Sequence, residues 1–227
     1  MIPWIDAHTH FIPAQKDILA LIDLSAEKEH FSDETLSSRL LFSYGVHPAE
    51  SATCNLEKNT EKWNDPRIHV IGECGLDRSL SIPLEIQSEC FLAQLEIAQK
   101  QQKPMVIHCV RCYSELLSFR KKYWKNPEIP WLLHGFRANE NIGRDCLKYG
   151  CILSLSPVWL LHLNEFPQWL PDDSFVLETD DDPVLDISAV YAHVCRLRGE
   201  NMETLKERLF STFRRVFPEC VFSRIQP

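Results

Sequence analysis

Five fragments of this 227-residue chain share one layout, an apolar run that ends in side chains able to bind a metal. In chain order they are Asp6-Ala7-His8-Thr9-His10, Gly72-Glu73-Cys74-Gly75-Leu76-Asp77, Ile107-His108, Trp131-Leu132-Leu133-His134-Gly135 and Leu177-Glu178-Thr179-Asp180. A short, continuously apolar run reads as a strand buried on both faces, the kind found in parallel sheets. In a β/α barrel the last side chains of such strands converge at the carboxyl ends, so strands that each deliver a ligand describe one ringed metal site. A lone histidine after a strand is more often packed or exposed than ligating. The ordered set is what constrains the fold.

The segments between these fragments alternate. Strands are expected at Ile2–Asp6, Asp17–Leu24, Leu40–Val46, His69–Gly72, Met105–His108, Trp131–His134, Cys151–Leu155 and Phe175–Thr179. The clearest helix begins after Ser81 and Pro83, with Leu84, Phe91, Leu95 and Ala98 near one face. Further helices fit Tyr113–Tyr123, Asn139–Tyr149, Ile187–Arg198 and Met202–Val216. The rhythm predicts an α/β fold, a TIM-type (β/α) barrel, formed by a single domain over residues 1–227. One place breaks it. Too few residues separate His10 from the second strand for an ordinary crossover helix, so the barrel is expected to be irregular at its first βα unit.

Composition narrows the class. With 44% hydrophobic residues the chain can fill one core, and no apolar run approaches the ~18 residues of a membrane helix. Met1-Ile2-Pro3-Trp4-Ile5-Asp6 has neither a basic flank nor a cleavable apolar stretch, which favours a cytoplasmic protein. The nine cysteines are scattered, and Cys90, Cys146, Cys151 and Cys195 sit in apolar or helical stretches, so free thiols are expected. Cys109 and Cys112 have CxxC spacing without a second CxxC to complete a zinc site. The formal charge of −8 and the lack of a Lys/Arg cluster long enough to form a nucleic-acid stripe argue against tight, non-specific duplex binding. They leave room for an enzyme that holds a few phosphates through divalent cations. No stable protein partner is inferred.

Six residues carry the chemistry: His8, His10, Glu73, His108, His134 and Asp180. In extended chain His8 and His10 point the same way and can serve one ion. Imidazole with carboxylate suits zinc, manganese, iron or nickel; carboxylate with water suits magnesium. Six ligands exceed what one tetrahedral ion needs, so two divalent ions are expected, with Glu73 able to bridge them. Such an ion lowers the pKa of bound water from about 15.7 toward about 7. Asp180 would hold that water and accept its proton. Arg111 and Arg137 each follow a ligand histidine by three residues and suit a phosphate clamp, or as readily a surface or capping role. His30, His162 and His193 lie outside any motif and are given no role.

The fragments DAHTHF, GVHPAE, GECGLD, PMVIHCVR, LLHGFR and LETDDDP, with the Gln87, Phe91, Gln94, Leu95, Ala98 helix, resemble in order the TatD family of metal-dependent hydrolases, relatives of the amidohydrolases. The resemblance runs over roughly residues 5 to 183. It implies a TIM barrel with one to three metals and phosphodiester cleavage, as a deoxyribonuclease or 3′→5′ exonuclease on single-stranded DNA or RNA. It implies His8 and His10 as first-strand ligands, Glu73 as the bridge, His108 and His134 at the second ion, and Asp180 on metal and water. It also implies His47 beside the substrate phosphate and Asp77 as an acid next to the ligands. The chain departs from the pattern at Val110-Arg111-Cys112, where the family's Asp is gone, and after Asp181-Asp182-Pro183, where a proline-rich cleft segment is absent. A C–N or carboxyl-ester hydrolase is the alternative, although that class often bridges its metals with a carbamylated lysine, and here Glu73 takes the position. A scaffold that kept the fold without catalysis is expected to have lost ligands, and none of the six is missing.

Overall fold

The structure, a computed structural model, describes residues 2–24 and 39–217. Eight strands pair in parallel in sequence order: β1 (Trp4–Thr9), β2 (Ile18–Asp23), β3 (Leu40–Tyr44), β4 (Ile68–Asp77), β5 (Met105–Val110), β6 (Trp131–Phe136), β7 (Cys151–Leu155) and β8 (Phe175–Leu177). The ends of this sheet meet. Asp180 N donates to His8 O at 3.0 Å, His10 N donates to Asp180 O at 3.1 Å, and Thr9 and Asp180 form a parallel bridge. The buried Asp6 carboxylate adds to the seam by accepting from Thr179 N at 3.0 Å and Thr179 Oγ1 at 2.7 Å. The expected (β/α) barrel is therefore present and nearly closed.

Helices α1 (Leu56–Trp63), α2 (Leu84–Gln101), α3 (Tyr113–Tyr123), α4 (Glu140–Lys148), α5 (Pro157–Leu161), α6 (Ile187–Arg198) and α7 (Met202–Arg214) follow strands β3 to β8. Residues 10–17 hold no helix, so β1 passes to its parallel neighbour β2 through a turn, as the short spacing requires. The sequence reading assigned no element between Pro48 and Ile68. The structure has a 3-10 helix at Pro48–Thr53, with Pro at its first turn and His47 as its cap, and then α1. No described helix is long and apolar enough to cross a membrane. The eight described cysteines are all free thiols.

Side chains alternate across each strand, and the alternation sorts the core in two. Ile5, Ala7, Leu19, Leu21, Leu41, Val70, Val106, Leu132, Ile152 and Val176 form one cluster that draws on all eight strands, which is the barrel interior. Phe213, Val216 and Phe217 join it from the end of the described chain. The residues between them, such as Ala20, Phe42, Ile71, Ile107, Leu133 and Leu177, pack outward with α2 to α6. Two positions beyond the interior layer of Leu21, Leu41, Val106, Leu132, Ile152 and Val176 stand Asp23, Ser43, His108, His134, Ser154 and Glu178. The barrel is apolar below and polar at its carboxyl mouth.

Several expected strand ends are corrected: β1, β5 and β6 run on to Thr9, Val110 and Phe136, so His8, His108 and His134 lie inside strands, and β4 changes most. The strand predicted to stop at Gly72 runs from Ile68 to Asp77 as β4, so Glu73 sits within a strand rather than after one. The glycines are points of close approach, not stops. Gly75 has φ 154°, and a Cβ there would fall on the carbonyl oxygen of His108 in β5. Only glycine lets β4 lie this close to its neighbour. The register of β4 against β5 shifts between Ile71 and Cys74, which brings Gly75 level with His108. Glu73 lies inside that shift and is only 4% exposed.

Candidate metal centre

The structure brings His8, His10, Glu73, His108, His134 and Asp180 together at the mouth. Glu73 is the hub, and its two oxygens face different partners. Oε1 lies 2.7 Å from His108 Nδ1 and 2.7 Å from His134 Nε2. Oε2 lies 3.5 Å from His8 Nε2 and 3.7 Å from His10 Nε2. Asp180 Oδ1 stands 3.7 Å from His8 Nε2 and 3.8 Å from His10 Nε2, with His134 Nδ1 at 3.9 Å. His8 and His10 thus aim the same ring nitrogen at the same two carboxylates.

Two further sequence candidates join the cluster. His47, at the cap of the 3-10 helix, places Nε2 3.5 Å from Glu73 Oε1 and 3.3 Å from His108 Nδ1. Its Nδ1 accepts from Ala49 N at 3.1 Å, so in the neutral ring the proton sits on Nε2 and points at the cluster. Asp77 Oδ2 lies 3.3 Å from the far nitrogen of His108, while its Oδ1 accepts from Ser79 N at 2.7 Å. Arg111 and Arg137 are exposed at the rim, and the structure does not bring them into this cluster. His162 and His193 bond to the carbonyls of Val158 and Leu160, and neither is among the grouped metal-competent side chains. His30 lies outside the described residues.

The charges show why the group needs a cation. Burial acts against charge on His8, but Glu73, Asp180 and Glu178 push its pKa up to about 10. Burial likewise opposes charge on Glu73, yet His134, His108 and His8 hold it well below the usual carboxylate range. The metal-free cluster therefore holds protons where a metal would supply the positive charge. His47 goes the other way, since burial lowers it to about 4 and leaves it neutral at pH 7.

Orphaned atoms make the same point. Both ring nitrogens of His8, Nδ1 of His134 and Oε2 of Glu178 are buried without a hydrogen-bond partner. Unpaired buried polar atoms are costly, and soft nitrogen with hard oxygen donors is the set that zinc, manganese and related ions take. Sets of three donors lie within 4.8 Å of one another, including His8/His10/Asp180, His8/Glu73/His134 and His47/Glu73/His108. The residues fit a divalent metal.

Asp23 and Glu178 were not assigned a role from sequence, and both belong to metal-competent groups: His10/Asp23/Glu73 and His134/Glu178/Asp180. The signal was available. Asp23 ends the apolar run Ile18-Leu19-Ala20-Leu21-Ile22 in the same layout as the five fragments, and Glu178 stands two residues beyond the interior Val176.

A parallel eight-stranded barrel with histidines and carboxylates converging at its mouth defines a metal-competent barrel of the hydrolase type. Comparison with known proteins places it within that class: the chain belongs to the TatD related DNase family, whose model matches residues 5–218. A curated relative from Cronobacter turicensis, named 3'-5' ssDNA/RNA exonuclease TatD, is 32% identical over 147 residues, covering 60% of this chain and 55% of that protein. The protein of the same name from Pectobacterium carotovorum is 28% identical over 209 residues, covering 76% of each. The crystal structure of YJJV, a TatD homolog from Escherichia coli, superposes with a TM-score of 0.73 at 20% identity, over 96% of this chain and 99% of that one. The match thus spans little more than half of the Cronobacter protein and nearly all of the solved homolog.

Proposed function

We propose that this chain is a metal-dependent phosphodiesterase that acts as a 3′→5′ exonuclease on single-stranded DNA or RNA, working in the cytoplasm as a single barrel domain. The observation that carries the reading is the hub geometry. One oxygen of Glu73 faces His108 and His134 while the other faces His8 and His10, the arrangement a carboxylate shared between two ions requires. The proposed ligands are His8, His10, Glu73, His108, His134 and Asp180, holding two ions of zinc, manganese or magnesium type. The relatives named as ssDNA/RNA exonucleases support the substrate class.

Bound divalent ions would supply Lewis-acid charge and make hydroxide available near neutral pH. Asp180, one-third exposed at the mouth, would accept the proton of the attacking water. Its backbone is clamped by His8 and His10 on either side, which fixes the point from which the side chain leaves the chain. His47, neutral and with its Nε2 proton facing the cluster, donates to a phosphoryl oxygen. Arg111 and Arg137 receive the phosphates of the flanking strand. The alternative, a C–N or carboxyl-ester hydrolase, is not favoured, because Glu73 stands where that class often uses a carbamylated lysine.

The deciding experiment incubates metal-loaded and EDTA-treated protein with end-labelled single-stranded DNA, RNA, bis-(p-nitrophenyl) phosphate and a panel of amides and esters. Metal-dependent shortening of the single strands from the 3′ end is expected. Turnover of an amide with inert nucleic acids would overturn the reading in favour of the alternative.

A further inference from the structure

Asp23 ends β2 beside the cluster, and its side chain is only 2% exposed. A buried carboxylate is costly unless something answers its charge. On one side Ser43, its register partner on β3, offers Oγ at 3.4 Å from Oδ1. On the other side Oδ2 faces His10 Nδ1 at 3.6 Å. His10 turns its opposite nitrogen, Nε2, toward Glu73 and Asp180. The imidazole therefore spans from the Asp23 carboxylate to the proposed metal position.

The two histidines of the first strand differ in how they are held. His8 lies inside β1, its side chain is fully buried, and its ring packs on His134 with centroids 4.3 Å apart. His10 lies beyond the strand end, is 20% exposed, and opens the helix-free segment that leads to β2. The first ring is fully enclosed; the second stands edge-on to His8 with centroids 5.1 Å apart but stays partly open, so a partner at Nδ1 can set its direction. A neutral imidazole has one N–H and one lone pair, and a carboxylate at Nδ1 selects the form whose lone pair is on Nε2.

We infer that Asp23 is a positioning residue: it holds the Nδ1–H tautomer of His10 and so aims the Nε2 lone pair at the metal. This rests on the reading of His10 as a ligand. Asp23 fixes the ring direction of His10, and the effect passes through His10 alone.

A double-mutant cycle tests it. Manganese(II) is titrated into EDTA-stripped wild type, Asp23→Asn, His10→Gln and the double variant, and the free ion is counted by its electron paramagnetic resonance signal. Asp23→Asn is isosteric, and circular dichroism checks that it folds. Loss of such a partner is expected to weaken metal binding about 10- to 100-fold. In the His10→Gln background the same substitution should change nothing further. Ring nitrogen-15 spectra of the metal-free protein at fixed pH give a readout that general loosening of the fold does not produce. His10, identified by its absence in His10→Gln, should show a single Nδ1–H form in wild type and a mixture in Asp23→Asn.

An equal loss in both backgrounds overturns the inference, since Asp23 then acts by itself as a ligand or as a structural group. Unchanged affinity in Asp23→Asn beside a weakened His10→Gln overturns it too, while leaving the ligand reading intact. If His10→Gln binds manganese as wild type does, the ligand reading of His10 falls, and this inference falls with it.

Discussion

The Glu178 carboxylate accepts a hydrogen bond from the backbone N–H of Gly135 at 2.7 Å. This joins the end of β8 to the residue that follows His134 on β6, across the intervening β7. The acceptor is fully buried, so water cannot replace it. Glu178→Ala strands a backbone donor at a cost of about 1–3 kcal/mol. For a chain of this size each kcal/mol lowers Tm by about 2–4 °C. Glu178→Gln keeps an oxygen acceptor and should melt close to wild type. Both are read by thermal unfolding of metal-stripped protein, and an alanine variant as stable as wild type would remove this tie from the account.

How much of this was legible in the sequence follows from periodicity. The alternation of period two and the apolar runs placed all eight strands. The His8-x-His10 pair, His108, His134 and Asp180 could be read near the carboxyl ends of strands because each stands close to the end of such a run, although His8, His108 and His134 lie inside the strands themselves. Glu73 was found, but its setting was not: Gly72 reads as a stop in sequence, and only the close approach of β4 to β5 reveals a strand that continues. Asp23 was missed because it was read as part of a buried strand, although the same rule, an apolar run ending in a carboxylate, applies to it. Arg111 and Arg137 show the converse, since proximity to a ligand histidine in sequence does not bring a long side chain into the cluster.

Asp180 separates chemistry from folding. Its backbone N–H is bonded to His8 on β1 and its C=O to His10 just past the strand, and neither bond involves the carboxylate. Its side chain is 32% exposed, so Asp180→Asn removes a proton acceptor without opening a core. Hydrolysis of bis-(p-nitrophenyl) phosphate should fall at least about 100-fold, the lower end of what a positioned base supplies. The far-ultraviolet circular dichroism of metal-free protein should be nearly unchanged. A variant that keeps most of its activity would sink the assignment of Asp180 as the base.

Arg111 and Arg137 are exposed at the rim, where they can meet the substrate strand without touching the reacting phosphate. Replacing either with Ala should raise KM for single-stranded DNA several-fold. It should leave kcat on bis-(p-nitrophenyl) phosphate near wild type, because that substrate has no flanking phosphates. Each substitution should also shallow the dependence of log binding constant on log salt by about 0.7. Equal effects on both substrates would place these arginines in the chemical step instead.

The pH dependence of stability should differ between metal-free and metal-loaded protein. In the metal-free fold the surrounding carboxylates push His8 up to about 10, above an unfolded value of about 6.5. A folded pKa above the unfolded one means that the native state binds the extra proton. The resulting stabilisation is fully present below about pH 6.5 and is lost as pH rises through about 10. A metal ion on His8 takes the place of that proton, so this loss should not occur in the loaded protein, and metal uptake should release protons. Contributions from thiols and phenols elsewhere are common to both forms and cancel in the difference. The gap in Tm between zinc-loaded and EDTA-treated protein should therefore widen from pH 6.5 to pH 9, about the range between the two pKa values. Parallel melting curves across that range would show that no metal displaces a proton from His8.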